Sequence, residues 1–380
     1  MNRLQLKKIV NDNGQVKTFE EVGVSTKTVI AISNLNIDLD KFFTYIPITE
    51  YHPIEKKRGR KKRQLVEPVV KILPVGSIVL VQRRREHRGA LLKNKSKRSN
   101  TFFLHSVTAV ICLENNKFIN IKVSSNGKFQ ITGCKTEKHY VDTMIYLFKN
   151  MKRIEEMTGE RCYRLINSDN TLRIVFNTVM KNMDFNIGFN ISRERLNKFI
   201  NTQPKFVGIF EGSISTGVNI KVQSEQINDT ELTEIHYDLV DDSIRILKVP
   251  YTNYYNLLEE KERKKESNVN KHHTFLIFAS SSIIMSSRGP DMKRVFNRLI
   301  EILLKNKEQF EDKTVEEEKI IKEIVPLKNN KTEEDDDDEC ICNTGCCFKK
   351  DFDQYDTIED EDENDENEED NEFICNIVKV

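Results

Sequence analysis

Hydrophobic and polar positions along the chain run twice through the same order. The first round opens on an apolar stretch with strand character, TVIAISNLNI (28–37), followed by a short helical stretch, LDKFFTYI (39–46). Three more strands follow, SVTAVICL (106–113), FINIKVS (118–124) and KFQITGCK (128–135), separated by the turn sequences ENNK and SNG. A helix comes next, with Val141, Met144, Ile145, Phe148 and Met151 spaced to share one face. The second round repeats this with the strand TLRIVFNTV (171–179), the helix SRERLNKFI (192–200), the strand PKFVGIFEG (204–212) and the pair TFLIFAS and SIIMSS (274–287). Its last helix opens at Pro290, a residue suited to a first helical turn, and carries Met292, Val295, Phe296, Leu299 and Leu303 on one face. Two β-α-β-β-β-α repeats predict an α+β fold, a pseudo-symmetric antiparallel sheet with helices on one face only. The other face is then free to meet a ligand.

Three segments interrupt this pattern and set the expected organisation. After an N-terminal extension (1–27), the first repeat spans 28–165 and holds a basic insertion at about 54–101. That insertion contains KKRGRKKR (56–63), RRREHRG (83–89) and KNKSKR (93–98), with a short apolar stretch, VGSIVLVQ (75–82), among them. The second repeat spans 166–310 and holds a charged insertion at about 225–271 that ends in LLEEKERKKESNVNK. A charged helix extension (311–331) leads into a tail (332–380) whose acidic runs at 333–339 and 359–372 cannot bury enough surface to fold.

Charge sharpens this picture. The 60 Lys/Arg and 60 Asp/Glu of the 380 residues cancel, but the tail holds 21 Asp/Glu against Lys349, Lys350 and Lys379, a net of −18. The other 331 residues hold 57 Lys/Arg and 39 Asp/Glu, a net of +18. A basic body with an acidic tail suits a polyanion-binding protein with an interaction or self-shielding tail. No apolar run approaches the 18 or so residues of a membrane span, and the N-terminus lacks a secretory h-region. The expected setting is therefore intracellular, with no membrane partner.

Cysteines and catalytic motifs add little chemistry. Cys112, Cys134 and Cys162 are scattered as buried thiols of a reducing compartment are. Cys340, Cys342, Cys346, Cys347 and Cys375 sit in the tail, where CICNTGCC lacks the paired C-x-x-C knuckles of a zinc site. No metal or other cofactor is expected. The chain has no P-loop, GxGxxG, HExxH or nucleophile elbow, so no enzyme is expected either.

The paired segments carry a resemblance. SSNGKFQITGCKTE (124–137) and LIFASSSIIMSS (276–287) resemble the two copies of the LIF-x-SGK-x-V-x-TGAK segment of the TATA-box-binding protein family. EYHP (50–53) is similar to the family's EYNP, and KFVGIF (205–210) to its LFPGLIY. Both repeats, about 28–160 and 170–305, share in the likeness. It looks most like the TATA-binding-protein-like proteins of giant DNA viruses, and the Asn/Lys/Ile-rich composition suits an AT-rich genome. The resemblance implies a curved saddle with helices on its convex face. The concave face of such a saddle sits on the DNA minor groove and drives phenylalanines between base steps.

Carried onto this chain, the resemblance places Asn34 and Asn177 at the central minor-groove asparagines, whose amides can donate to A N3 and T O2. Phe206 and Phe278 match the intercalating pair of the second repeat, with Val179, Leu276, Ile284 and Ser286 around them. The first repeat departs from the family. Val107 and Ser124 hold its wedge positions, surrounded by Asn36, Lys122, Gln130 and Thr132. The implied function is a transcription initiation factor, a monomer on DNA, that bends AT-rich promoter DNA and recruits polymerase through a factor-IIB-like partner. Its place would be the nucleus or a cytoplasmic viral factory. Two other classes stay open: an interaction protein that kept the fold without DNA specificity, and an architectural protein without TATA preference. KKRGRKKR suits an AT-hook-like core without its proline, a nuclear localisation signal or a solvated basic loop.

Overall fold

The computed structural model describes residues 7–10, 15–52, 72–92, 105–167, 170–213, 216–224, 231–268 and 272–313. Two compact units divide the chain, 1–324 and 325–380, and the described residues all belong to the first. KKRGRKKR, KNKSKR and the cysteine-bearing acidic tail lie outside the described residues.

The first half contains β1 (Lys7–Lys8), α1 (Phe19–Val22), β2 (Thr26–Ser33), β3 (Leu35–Ile37), α2 (Leu39–Tyr45), β4 (Ile78–Arg83), β5 (Glu86–Gly89), β6 (Ser106–Leu113), β7 (Lys117–Ser124), β8 (Lys128–Cys134), α3 (Glu137–Thr158) and β9 (Tyr163–Leu165). The second contains β10 (Thr171–Asn186), α4 (Arg193–Ile200), β11 (Phe206–Ile209), β12 (Val218–Gln223), β13 (Glu231–Asp238), β14 (Ile244–Pro250), α5 (Tyr251–Leu257), α6 (Glu260–Asn268), β15 (His272–Ile277), β16 (Ser282–Ser287) and α7 (Met292–Lys305). The main sheet is ordered β11-β12-β15-β16-β10-β2-β8-β7-β6-β4-β5, and every neighbouring pair along that path is antiparallel. The β2–β10 pair lies at the centre of this order, with four strands beyond β10 and five beyond β2.

The α+β class and antiparallel sheet agree with the sequence pattern, but four matched strands rather than three follow the first helix of each half, β4, β6, β7 and β8 against β11, β12, β15 and β16, and β5 adds an edge strand to the first. VGSIVLVQ supplies the added strand of the first half, β4, and 218–223 that of the second, β12. The apparent first strand, 28–37, breaks at Asn34, because β3 leaves the main sheet to pair with β9. Gly127 sits at this break with φ +72°, and a Cβ there would lie 2.3 Å from the Leu35 carbonyl, so glycine is required.

Two cores lie under the helices. Val29, Ala31, Ile121 and Ile131 of the first half pack on Met144, Leu147, Phe148 and Met151 of α3. Met183, Phe185, Phe275 and Met285 of the second pack on Val295, Phe296, Leu299 and Leu303 of α7. Local signals set the helix ends. Asp38 accepts from the Asp40 and Lys41 amides at 3.0 Å to start α2, and Gly159, in the left-handed region, ends α3. Cys112, Cys134 and Cys162 are buried free thiols, and burial pushes Cys134 and Cys162 up to about 12. One buried group imitates a catalytic triad. His273 places Nδ1 2.6 Å from the Ser287 hydroxyl and Nε2 2.8 Å from Asp291 Oδ1. His273 is 0% and Ser287 3% exposed, so no substrate can reach the hydroxyl. The cluster ties β15 and β16 to the start of α7.

Candidate nucleic-acid interface

Alternation along each strand defines the face turned away from α3 and α7. Because neighbouring strands are in register, its side chains form transverse rows. In the second half one row runs Ile209, Asn219, Leu276, Ile284, Asp184. The next runs Val207, Lys221, Thr274, Ser286, Asn182 and crosses to Thr26. Phe278 continues the alternation beyond Leu276, at a turn where its amide donates to the Ser282 carbonyl at 2.9 Å. Ile209 and Val207 are 51% and 55% exposed.

The first half has the matching rows. One runs Gln82, Thr108, Lys122, Gln130, Ile30 and meets Asn177. The other runs Leu80, Val110, Asn120, Thr132, Thr28. The starts of α2 and α4, Leu39 and Arg193, are 154 residues apart, as are those of β8 and β16, Lys128 and Ser282. That offset equates Gln130 with Ile284, Thr132 with Ser286, Ser124 with Phe278 and Thr28 with Asn182. The row that is apolar in the second half is therefore polar in the first, as the sequence suggested.

Several expected site residues stand elsewhere. Phe206 is 5% exposed and packs in the helix-side core beneath the Arg298 guanidinium, 5.1 Å from its ring. Val207 and Ile209 take the outward places on that strand. Val107 is fully buried on the helix side, on β6; the strand that corresponds to Phe206's is β4. Asn34 is committed to the backbone of β10: its Nδ2 donates to the Thr171 carbonyl at 2.8 Å and its Oδ1 accepts from the Arg173 amide at 2.8 Å. Asn36 is exposed on β3, off the main sheet. Val179 lies in a β-bulge between Thr178 and Met180, and that extra residue shifts the face presented by the rest of β10. Asn177 is on the expected face but only 3% exposed, against the Tyr254 hydroxyl. Lys122, Gln130, Thr132, Leu276, Phe278, Ile284 and Ser286 are all on the expected face.

The structure adds residues that the sequence reading missed: Thr28, Asn182, Val207, Ile209, Asn219 and Lys221. The 154-residue offset, visible in the helices, was the signal that would have found Thr28 and Asn182. Buried side-chain oxygens without a hydrogen-bond partner include Gln130 Oε1, Asn182 Oδ1 and Asn219 Oδ1, all on this face. Unmet polar atoms beside exposed apolar groups and a lysine suit a ligand with both stacked and polar edges.

Lys122 carries a testable charge effect. Burial pushes its ammonium down to about 8 from an ordinary 10.5. Between those values the unfolded chain holds the extra proton, so this group makes stability rise with pH from about 8 to 10.5 and costs most below 8. Lys122→Gln is expected to raise the melting temperature at pH 7 by about 2 °C, with the gain vanishing towards pH 10.5. A lower melting temperature at pH 7 would show that the charge is compensated in place.

No family model matches the chain. A TATA-box-binding protein-like protein of Acanthamoeba polyphaga mimivirus is 25% identical over 246 residues, 61% of this chain and 59% of that protein. The chain thus spans about three-fifths of that relative's length. An uncharacterized protein, 335L, of Invertebrate iridescent virus 6 is 25% identical over 299 residues, 76% of this chain and 85% of its own. Among solved structures, the TBP of Methanococcus jannaschii aligns over 74% of this chain and 98% of its own, at 10% identity and a TM-score of 0.34. So low a score decides nothing about the site. By sequence, the chain is similar to a viral protein named TATA-box-binding protein-like.

Proposed function

We propose that this protein is a DNA-binding transcription initiation factor that seats AT-rich duplex on the sheet face away from α3 and α7. The observation that carries the reading is the second-half face, where Val207, Ile209, Leu276, Phe278 and Ile284 stand beside Lys221 and the Asn182 and Asn219 amides. An apolar wedge opens a base step, a carboxamide meets the acceptors of A·T pairs, and lysine neutralises phosphate. Recruitment of polymerase through a factor-IIB-like partner, in the nucleus or a viral factory, belongs to the same proposal and is supported by the viral resemblance. No catalytic role is proposed.

The polar first-half row, Gln82, Lys122 and Gln130, favours a second reading, an architectural or interaction protein without TATA preference. Gel shifts on TATA-containing and GC-rich duplexes separate the two. Contact with six or more phosphates is expected to make log K fall against log salt with a slope of roughly −0.9 per phosphate. Affinity that stays flat between low and physiological salt would remove the DNA reading.

A further inference from the structure

The middle of the proposed DNA face is already occupied by the chain itself. Residues 231–268, inside the segment that read as a charged insertion, form the β13–β14 hairpin and then helices α5 and α6. The hairpin extends the sheet from the first half of β10, with Phe176 opposite Thr233 and Thr171 opposite Asp238. From its end the two helices lie on the face opposite α3. Tyr251, Tyr254 and Leu258 are 5–7% exposed and pack with Ile32, Val175, Leu232 and Val249, with Ile30 at the margin. Ile30, Ile32, Val175 and Asn177 are central residues of that face, two on each of the strands that meet at the pseudo-symmetry axis.

The charges of this arm are sorted. Glu259, Glu262 and Glu266 turn toward the sheet. Lys128 Nζ lies 2.7 Å from Glu262 Oε1 and 3.2 Å from Glu259 Oε1. Arg288 pairs with Glu266, its Nη1 3.1 Å from Oε2, and Glu266 also accepts from the Tyr251 hydroxyl. Lys261, Lys264 and Lys265 point outward. Lys128 and Arg288 belong to the DNA face, Lys128 in register with Ile32 and Arg288 just beyond Ser287. The arm therefore presents carboxylates to cations and aromatic rings to apolar side chains, the two kinds of contact a bent duplex would make there.

We infer that α5–α6 is an intramolecular competitor for DNA, a built-in latch that must leave the central strands before duplex can cross them. The inference rests on the DNA reading above. A tethered competitor holds its site at high effective concentration, and apparent DNA affinity falls by the fraction of molecules in which it is displaced. It also makes release selective, because only a ligand that offers both anionic and apolar contacts replaces everything the arm provides.

The test uses the full chain, two latch variants and one charge control. Tyr254→Ala weakens the latch without changing charge. Glu259→Gln/Glu262→Gln/Glu266→Gln weakens it without removing apolar packing, and Glu155→Gln/Glu156→Gln/Glu194→Gln on α3 and α4 controls for the added net charge. Each is titrated with an AT-rich duplex at one salt concentration, and amide hydrogen exchange follows 251–266. Both latch variants are expected to bind at least tenfold tighter than the unmodified chain, and the charge control less than threefold. Bound DNA is expected to expose the 251–266 amides while those of α3 and α7 stay protected. Equal or weaker binding by the latch variants, with 251–266 still protected in the complex, would overturn the latch and leave the DNA reading standing. No binding to duplex by any of the proteins would remove the DNA reading, and the latch with it.

Discussion

DNA bent by this protein is expected to straighten when Ile209 and Phe278 are both replaced by alanine, while most of the salt-dependent affinity persists. Wedging a base step costs a few kcal/mol of stacking, recovered only if an apolar side chain fills the gap. On the second-half face Phe278, Ile209 and Leu276 can fill one. On the first half the equivalent row offers Gln82, Lys122 and Gln130, and Ser124 takes the place equivalent to Phe278. A hydroxyl or an ammonium is costly to bury between bases and cannot replace a stacked base. The bend is therefore expected to be one-sided, and the TATA preference concentrated in one half-site, since indirect readout depends on deforming the flexible step. Phosphate contacts from lysines such as Lys221 are untouched by the double substitution, so the salt slope is expected to stay near that of the unmodified chain. Circularly permuted fragments report the bend. Two equal kinks, or an unchanged bend in the double variant, would show that other side chains do the wedging.

Phe206→Ala is expected to have the opposite profile. Its ring is 5% exposed in the second core, opposite Val222 and beneath Arg298. Removing a buried phenylalanine ring loses its transfer energy and leaves a cavity, which together cost about 3–5 kcal/mol. β11 lies at the edge of the sheet, where neighbours can collapse inward, so the expected loss is about 3 kcal/mol. The protein that remains folded should still bend DNA, because the outward places on this strand belong to Val207 and Ile209. Denaturant unfolding measures the first effect and the permutation assay the second. A stable Phe206→Ala protein that no longer bends DNA would restore this ring to the wedge role.

These two substitutions mark the boundary between what could be read along the chain and what could not. Periodicity alone revealed the helices on the core, since the stripes Val141–Met144–Phe148–Met151 and Met292–Val295–Phe296–Leu299–Leu303 are long and one-sided. It revealed the repeat of strands and helices for the same reason, and the polar character of Lys122, Gln130 and Ser124 against the apolar Leu276, Ile284 and Phe278. In KFVGIF both alternating sets are apolar, Phe206 with Gly208 and Val207 with Ile209, so alternation cannot say which set faces the core. The pairing of β11 with β12 decides it, by placing Phe206 opposite the buried Val222. In β10 a bulge at Thr178–Met180 adds one residue, and a shift of one exchanges the faces of a strand. Asn34 and Asn177 match as equivalents along the sequence, whereas the 154-residue offset of the folded halves equates Thr28 with Asn182. The arm was hidden for a different reason. Its sequence is polar and helical without an evident partner, and the groups that hold it, Lys128 to Glu262 and Ile32 to Tyr254, come from distant parts of the chain. Local pattern reports what a segment buries within a few residues; which surface covers which is settled by contacts across more than a hundred, and these exist only in the fold.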